Sequence, residues 1–445
     1  MTNLDKIFKA NDVRGIYPNE INEDMAYKIG RATAKFLRTR EIVVGRDNRL
    51  SSESLSKSLC EGILDEGVNI LDIGLVTTPA FYLTIIKYDF KGGIMVTASH
   101  NPKEYNGFKF VKDDALPLGM DSGLDKIKKM VKKGFIRKWD GKRGRLNRRE
   151  ILSHYLKNIL RFADIGKIKP LKIIIDTANG TAGIVVPELF KNFPIEVIHI
   201  FSELDGSFPN HDPNPVISEN TTALQKKILS EHADLGVSFD GDGDRVIFFD
   251  EKGERVGPDL IAALLVHYLF ENVGKILYTP VASKIFREEI KRSHNEPICS
   301  KVGHTFLKNK MVNQKIFFGA ESSGHYYLKD NYYVESPFIV LIKVMELISE
   351  KKKSLSELIG PFNKYYRDRE DFKVKNQNKL IKRLENKYKN ASKLSLYDGL
   401  TVEFPDWWFN FRPSNTEPIT RLVVEAKTKI LLDKKLKEIK SLIIE

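Results

Sequence analysis

Cysteine is scarce in this chain, which has two thiols, Cys60 and Cys299, among 445 residues. The two stand far apart in the sequence and match no metal-ligand spacing. This usage fits a chain without structural disulfides or a cysteine metal site. The expected setting is a reducing compartment, with both thiols buried and inert.

A long hydrophobic run is also absent. The longest apolar stretch, residues 260–270, has about half of the roughly 20 residues that a membrane-spanning helix needs, and it contains His267. The first twenty residues mix charged and polar side chains with short apolar pieces, unlike a secretory signal. We expect a cytoplasmic protein with no membrane segment.

Negative charge is in the minority, because 59 Asp and Glu stand against 72 Lys and Arg, which gives a formal net charge of +13. A basic protein could bind nucleic acid, an anionic membrane surface or a phosphorylated substrate. The basic runs at residues 126–133, 351–353 and 379–389 alternate with apolar residues at helical spacing, which is typical of solvated helix faces. We therefore expect neither a nucleic-acid nor a membrane partner.

No long polar or repetitive tract interrupts the chain, and its length exceeds what one hydrophobic core usually supports. Strand-like and helix-like segments alternate in three blocks, which indicates βαβ units. In the third block the predicted strands are residues 275–279, 298–302 and 315–319. Short strands in mixed order with helices follow in the last part of the chain.

This rhythm predicts an α/β protein with four domains. Three related α/β domains with mixed, largely parallel sheets precede a smaller C-terminal α+β domain. The predicted domains are residues 1–142, 143–250, 251–358 and 359–445.

The first loop with chemical potential is TASHNP, residues 97–102, directly after the apolar strand predicted at residues 92–96. Such a loop leaves the Ser99 hydroxyl exposed at the carboxyl end of a parallel sheet. Serine needs a base, a lowered pKa or a metal to become a nucleophile, and His100 and Lys109 are the nearby groups for proton handling. Taken alone, the loop could equally be an ordinary polar turn.

The second loop, DGDGDR, places three carboxylates, Asp240, Asp242 and Asp244, at alternate positions. Like charges so close repel, and a bound cation is the usual resolution; hard oxygen ligands favour Mg²⁺ over zinc. A calcium loop of the EF-hand type is the competing interpretation, with Glu251 at its twelfth position. It is disfavoured because Arg245 occupies the sixth position, where glycine is required.

The third loop, GAESSGH at residues 319–325, combines a carboxylate, hydroxyls and an imidazole between glycines. These groups can accept and donate hydrogen bonds to a polyol such as a sugar. From this segment alone, a helix start capped by serine is the likelier interpretation.

The fourth loop, RPSNTEP at residues 412–418, combines an arginine fork with short hydroxyl and amide donors. This set suits a phosphate, so the loop is a candidate anion cradle. A plain turn with two prolines is the alternative.

Four such loops, in this order and one in each predicted domain, resemble the α-D-phosphohexomutase superfamily. The resemblance covers essentially the whole chain, and it implies that the four domains are arranged around a central cleft. It includes DVRG at residues 12–15, NGFK at residues 106–109 and VGHT at residues 302–305.

This resemblance implies an enzyme that moves a phosphoryl group between two positions of a hexose phosphate through a hexose 1,6-bisphosphate. Ser99 would carry the phosphoryl group, and Mg²⁺ would be held by Asp240, Asp242, Asp244 and the phosphate on Ser99. Glucose or mannose 1,6-bisphosphate would be the intermediate and activator. We expect a monomer or a dimer.

The resemblance also assigns roles to further side chains. Arg245 would offset the charge that develops during phosphoryl transfer, and Gly303 and His304 would belong to the region of the third domain that sets substrate specificity. The residues expected to orient the phosphoserine or assist proton transfer are Arg14, His100 and Lys109. Those expected to bind the sugar are Gly303, His304, Glu321, Ser323 and His325. Those expected to hold the non-reacting phosphate are Arg412, Ser414, Asn415 and Thr416.

The forms of the third and fourth loops are similar to the phosphomannomutase/phosphoglucomutase group. Phosphoglucosamine mutases usually carry glycine where Asn415 stands, which favours mannose or glucose phosphate over the alternative substrate, glucosamine phosphate. One departure is Asn11, where well-known members have tyrosine; the difference concerns the local packing near the phosphoserine or a contact with the sugar.

Overall fold

The computed structural model of the protein describes residues 3–134, 141–374, 376–414 and 419–444. Within these residues, four β-sheets follow one another along the chain, and helices pack against each. The predicted fold class of three α/β domains followed by a smaller α+β domain is confirmed.

The first sheet has six strands, β1 (Val13–Ile16), β2 (Glu41–Arg46), β3 (Asn69–Leu75), β4 (Gly92–Val96), β5 (Tyr105–Lys112) and β6 (Leu146–Arg148). Their order is β1-β5-β4-β2-β3-β6. Strands β4, β2, β3 and β6 pair in parallel, whereas β5 and β1 add in antiparallel fashion. Its helices are α1 (Leu4–Ile7), α2 (Glu23–Leu37), α3 (Ser52–Leu64), α4 (Thr78–Lys87) and α5 (Leu124–Lys133).

The second sheet has five strands, β7 (Leu171–Asp176), β8 (Ile195–Ile200), β9 (Leu235–Phe239), β10 (Val246–Phe249) and β11 (Arg255–Val256). Their order is β11-β10-β9-β7-β8, with a parallel half formed by β9, β7 and β8. The accompanying helices are α6 (Leu152–Leu160), α7 (Val186–Phe190) and α8 (Thr222–Glu231).

The third sheet has five strands, β12 (Lys275–Tyr278), β13 (Glu296–Cys299), β14 (Phe318–Ala320), β15 (Tyr326–Leu328) and β16 (Val334–Glu335). Their order is β13-β12-β14-β15-β16, again half parallel and half antiparallel. Its helices are α9 (Pro258–Leu269), α10 (Lys284–Arg292), α11 (His304–Gln314), α12 (Pro337–Lys351) and α13 (Leu355–Ile359).

The fourth sheet is antiparallel throughout, and its strands are β17 (Tyr366–Phe372), β18 (Lys393–Ser395), β19 (Leu400–Glu403), β20 (Trp407–Pro413) and β21 (Thr420–Ala426). Their order is β17-β21-β20-β19-β18. The helices of this part are α14 (Gln377–Lys387) and α15 (Lys429–Ile444).

The hydrophobic core joins the first three sheets into one packed body. Phe81 of α4, Phe239 of β9 and Phe338 of α12 belong to a single buried cluster, and the last two rings stack at 4.7 Å between centroids. The fourth sheet has a core of its own, which includes Leu384 and Phe409. This packing fixes the loops of the first three sheets relative to one another.

The predicted domain borders after residues 142, 250 and 358 stay a prediction. Two short strands follow a predicted border in the chain but belong to the sheet before it. These are β6, which pairs with β3 in the first sheet, and β11, which pairs with β10 in the second. All three residues of β6 are exposed, so no apolar pattern marks this strand in the sequence.

The long apolar stretch in the middle of the chain is a buried helix, α9. None of the described helices is both long enough and apolar enough to cross a membrane. Of the thiols, Cys60 is buried, and burial raises its pKa to about 12. The expectation of burial was wrong for Cys299, which is only partly covered because β13 is an edge strand; burial still raises its pKa.

A buried cation lies where the third domain meets the first. Lys308 of α11 is fully buried, and its Nζ has no hydrogen-bond partner among the described residues. It lies 4.5 Å from the ring centroid of Tyr82 on α4. Burial lowers the Lys308 pKa to about 8, although the charges of Glu335 and Asp114 oppose the shift.

Because the pKa of Lys308 is low, we expect the folded protein to become more stable against unfolding at alkaline pH. An unfolded lysine loses its proton near pH 10.5, whereas folded Lys308 loses it near 8. Between these values the unfolded chain binds more protons, so the free energy of unfolding rises with pH, by up to roughly 3 kcal/mol. The test is urea denaturation of the wild type and of Lys308→Met at about pH 7.5, 8.5 and 9.5, a range around that pKa of about 8. The free energy of unfolding should rise more steeply with pH in the wild type than in the variant. Equal pH dependence of the two proteins would contradict the assignment.

Candidate active site

Ser99 lies in a tight turn at the carboxyl end of β4. Its φ of 52° is in the left-handed region that residues other than glycine rarely occupy. The Ser99 amide donates to Thr97 Oγ1 at 2.8 Å, and its hydroxyl donates to Asp240 Oδ2 at 2.9 Å. The residue is only 1% exposed. The expectation of an open hydroxyl was therefore wrong, because the loop after β9 lies against this turn.

Arg49, which sequence reasoning missed, fixes the shape of this turn. Its side chain is buried, and the guanidinium donates to four backbone carbonyls at 2.6 to 3.0 Å, those of Ser99, Asn101, Pro102 and Tyr105. A rigid fork of donors is what such a set of carbonyls requires. The sequence carries no signal for it, since arginines usually lie at the surface.

The acidic loop between β9 and β10 brings its three carboxylates together. One oxygen each of Asp240, Asp242 and Asp244 lie within 4.8 Å of one another, and all three residues are buried. Gly241 permits the close approach to the serine turn, since a Cβ there would be 2.7 Å from the Ser99 carbonyl oxygen. Burial, followed by the charges of Asp244 and Asp242, raises the pKa of Asp240 well above its ordinary value.

Lys109 of β5 offsets part of this negative charge. Its Nζ lies 2.7 Å from both Asp242 Oδ2 and Asp244 Oδ2, and these two charges outweigh burial and raise its pKa. Burial also opposes ionisation of Asp244, but the charges of Lys109 and His325 prevail and lower its pKa.

The loop is suited to a divalent cation. The buried Oδ1 of Asp242 has no hydrogen-bond partner among the described residues, and an orphaned buried carboxylate oxygen is destabilising unless it is paired. Asp240, Asp242 and Asp244 offer oxygen ligands alone, which is the donor set of a hard cation. The three aspartates that the sequence analysis names as candidate metal ligands therefore lie together in the structure.

Arg14 of β1 borders the serine turn. Its Nε donates to Asp12 Oδ2 at 2.8 Å, and its Nη1 donates to the Ala98 carbonyl at 3.1 Å and to the Asn101 side chain. Arg14 therefore braces the turn and presents a positive charge beside it. Asn11, the departure noted in the sequence, is buried next to this group.

The His100 ring lies beside the serine hydroxyl. Its Nδ1 lies 3.5 Å from Ser99 Oγ. Burial, followed by the charges of Arg245 and Arg14, lowers the pKa of this imidazole well below its ordinary value. A neutral imidazole can accept a proton.

The ESSGH loop after β14 reaches the acidic loop through His325. Its Nε2 lies 3.2 Å from Asp244 Oδ1 and 3.3 Å from Nε of Arg245, and its Nδ1 lies 2.9 Å from Ser323 Oγ. Arg245 Nε is also 3.5 Å from Asp240 Oδ2. The third domain thus completes the charge balance around the carboxylates.

Glu321 connects this loop to the start of α11. Its Oε1 accepts a hydrogen bond from the Gly303 amide at 3.1 Å, and its Oε2 accepts one from the Tyr327 hydroxyl at 3.2 Å. His304 follows Gly303 as the first residue of α11. Burial, followed by the charges of Lys109 and His325, lowers the pKa of His304.

Arg412 is buried at the end of β20, and burial lowers the pKa of its guanidinium. Its Nη1 donates to the Pro413 carbonyl at 3.3 Å, and its Nε has no hydrogen-bond partner among the described residues. The next described residue of the cradle is Ser414, whose amide donates to the Ile419 carbonyl. The predicted cradle residues Asn415 and Thr416 lie outside the described residues.

Three regions of the chain match family models for phosphoglucomutase/phosphomannomutase. Residues 5–137 match alpha/beta/alpha domain I, residues 153–253 match domain II and residues 257–365 match domain III.

Full-length relatives agree with these matches. A phosphomannomutase of Escherichia coli is 36% identical, and the alignment covers 98% of each chain. The phosphohexose mutases of Xanthomonas campestris are 35% identical over 98% of each chain. A crystal structure of a phosphoglucomutase/phosphomannomutase family protein from Burkholderia thailandensis superposes with a TM-score of 0.89 at 28% identity, covering 99% of this chain and 97% of that one. The resemblance drawn from the four loops is confirmed, and the chain belongs to the phosphoglucomutase/phosphomannomutase family.

Proposed function

We propose that this chain is a phosphohexomutase that interconverts hexose 1-phosphate and hexose 6-phosphate, with mannose or glucose as the sugar. The observation that carries the proposal is the Ser99 hydroxyl, held 2.9 Å from Asp240 at the edge of three clustered carboxylates. The names of the relatives that are 35 to 36% identical support mannose or another hexose. Glucosamine phosphate is the less supported alternative.

Ser99 carries the phosphoryl group in this proposal. The bond between phosphorus and Ser99 Oγ breaks as the phosphoryl group passes to the free hydroxyl of a bound sugar monophosphate. The sugar hydroxyl gives up its proton and Ser99 Oγ takes one as it leaves, with His100 as the group that carries the proton, and a hexose 1,6-bisphosphate of glucose or mannose results. The bisphosphate then returns its other phosphoryl group to Ser99, which completes the exchange.

The metal in this proposal is Mg²⁺, held by Asp240, Asp242, Asp244 and the phosphate on Ser99. When bound, it supplies positive charge beside the phosphoryl oxygens. The orphaned Asp242 oxygen and the all-oxygen donor set support this choice. Arg245, 3.5 Å from Asp240, adds a fixed positive charge on the same side.

Proton transfer is best served by His100. It lies 3.5 Å from Ser99 Oγ, whereas Lys109 is engaged by two carboxylates and Arg14 by Asp12 and the serine turn. We propose that Lys109 and Arg14 orient the phosphoserine.

The sugar is proposed to bind to the third domain and its non-reacting phosphate to the fourth. In the proposal, Glu321, Ser323, His325, Gly303 and His304 bind the sugar. They belong to the loop after β14 and to the start of α11, which Glu321 joins to each other and His325 connects to the carboxylate cluster. The non-reacting phosphate is held by Arg412, Ser414, Asn415 and Thr416. The monomer-or-dimer state, the cytoplasmic location and the domain borders stay predictions.

Replacing the proposed carrier should abolish the reaction. Ser99→Ala removes the oxygen that accepts the phosphoryl group, so kcat for conversion of mannose 1-phosphate or glucose 1-phosphate should fall by at least about 10⁴-fold. Ser230→Ala, which removes a hydroxyl on the exposed surface of α8, is the matched control.

Intact mass before and after incubation with glucose 1,6-bisphosphate tests the carrier directly. The wild type should gain one phosphoryl group that maps to Ser99, and Ser99→Ala should gain none. Full mutase activity in Ser99→Ala would contradict the proposal that Ser99 carries the phosphoryl group. Comparing rates on mannose, glucose and glucosamine phosphates decides the sugar.

Metal removal should stop turnover. Chelation is expected to abolish activity and added Mg²⁺ to restore it, since the phosphoryl charge then lacks its counter-ion. In Asp242→Asn the Mg²⁺ concentration for half-maximal rate should rise by at least about 100-fold, because losing even an outer-shell partner weakens a metal site by 10 to 100-fold. Glu254→Gln, an exposed acid on the following turn, serves as the control. Undiminished rates after chelation would contradict the metal role.

Arg49 is a positioning residue whose replacement should lower kcat more than it changes KM. Arg49→Lys keeps the charge but loses the fork that holds four carbonyls, so the serine turn should shift and kcat should fall by about 100-fold. Arg46→Lys, on the preceding strand, is the control and should remain near wild type. A wild-type kcat in Arg49→Lys, with phosphoserine intact, would show that the fork is dispensable.

A further inference from the structure

A cavity of about 390 Å³ lies between α4 and α6, along the turns of α4 that follow Thr78. Its volume falls in the range of small-molecule sites. Its floor is buried and largely apolar, with Ala80, Leu83, Ile151 and Tyr155. None of its lining residues belongs to the four loops of the candidate active site, so the cavity is a separate feature.

The rim of this cavity is positive. Four cationic side chains line it together with the imidazole of His154, and these are Lys87, Arg149, Lys157 and Arg161. No carboxylate lines the cavity in the described part of the chain. In the same part of the chain, none of the four cations forms an ion pair with a carboxylate, and Arg161 donates instead to the backbone carbonyl of Asp330.

Aromatic rings accompany these cations. The Arg149 guanidinium lies 4.4 Å from the ring centroid of Tyr88, which also lines the cavity. The His154 ring meets the same tyrosine edge to face at 6.1 Å. Lys87 and Arg161 flank the ring of Tyr332 at 4.9 and 5.3 Å. Apolar and aromatic surface beneath a cationic rim favours a ligand with a flat body and an anionic end.

A buried polar group in the cavity lacks a partner. Asn158 is 5% exposed and lines the cavity. Its Nδ2 donates to Asn331 Oδ1 at 2.7 Å, whereas its own Oδ1 has no hydrogen-bond partner among the described residues. A buried acceptor without a donor is destabilising. An amine or hydroxyl of a ligand in this cavity would satisfy it.

We propose that this cavity binds an aromatic phosphate monoester of the nucleoside monophosphate class. The base would lie on the apolar floor near Tyr88, with an amino or hydroxyl group donating to Asn158 Oδ1. The phosphate would lie among the rim cations, where the Arg149 fork suits a phosphate dianion and Lys157 adds a second positive charge. This proposal does not depend on the mutase activity.

Isothermal titration calorimetry of the full chain with adenosine 5′-monophosphate tests the proposal. Adenosine, which lacks the phosphate, and ribose 5-phosphate, which lacks the base, should each bind at least about tenfold more weakly. The double variant Arg149→Gln/Lys157→Gln should weaken nucleotide binding by at least about tenfold, with an unchanged melting temperature because both side chains are exposed.

Two controls locate the binding. Lys382→Gln removes an exposed cation of α14 far along the chain, and Arg412→Gln removes the cation of the candidate phosphate cradle. Neither should change the affinity for adenosine 5′-monophosphate. The proposal is overturned if the nucleotide does not bind, if the double variant binds it as the wild type does, or if Arg412→Gln abolishes binding.

Discussion

The repulsion among three buried carboxylates is the constraint on which the centre of this structure depends. Their oxygens lie within 4.8 Å of one another, where burial makes like charges costly to hold together. Lys109 from the first domain and His325 from the third approach them from two sides. The charge balance of one loop therefore requires three domains to stay in place, and their shared hydrophobic core holds them there.

The serine turn shows a second kind of constraint. Its left-handed backbone is unfavourable for a serine. Four hydrogen bonds from the Arg49 guanidinium to backbone carbonyls hold the turn in that shape. The hydroxyl consequently points to Asp240 before any substrate arrives. Preorganisation of this kind is what phosphoryl transfer needs, since the protein contributes mainly positioning and charge.

Most strands could be predicted from apolar runs, and the exceptions have local causes. Residues 298–302 were expected as a strand, but β13 spans Glu296–Cys299, because its edge position tolerates Pro297. The strand expected at residues 315–319 begins later, at Phe318, since Lys315 ends α11 in a left-handed conformation. In both cases the pattern located the element, and its bounds depend on the edge position of β13 and on the left-handed residue that ends α11.

The sequence by itself determined the chemistry: a serine after a strand, three alternating aspartates, a polar loop between glycines and an arginine followed by short polar side chains. Turn residues and apolar periodicity act over a few positions, so they can be read from the chain. Tertiary structure alone decided that Ser99 is covered by the acidic loop, that Arg49 and Lys308 are buried, and that α4 and α6 enclose a cavity with a cationic rim. These features join residues that are far apart in the chain, and only the packing of the folded domains brings them together.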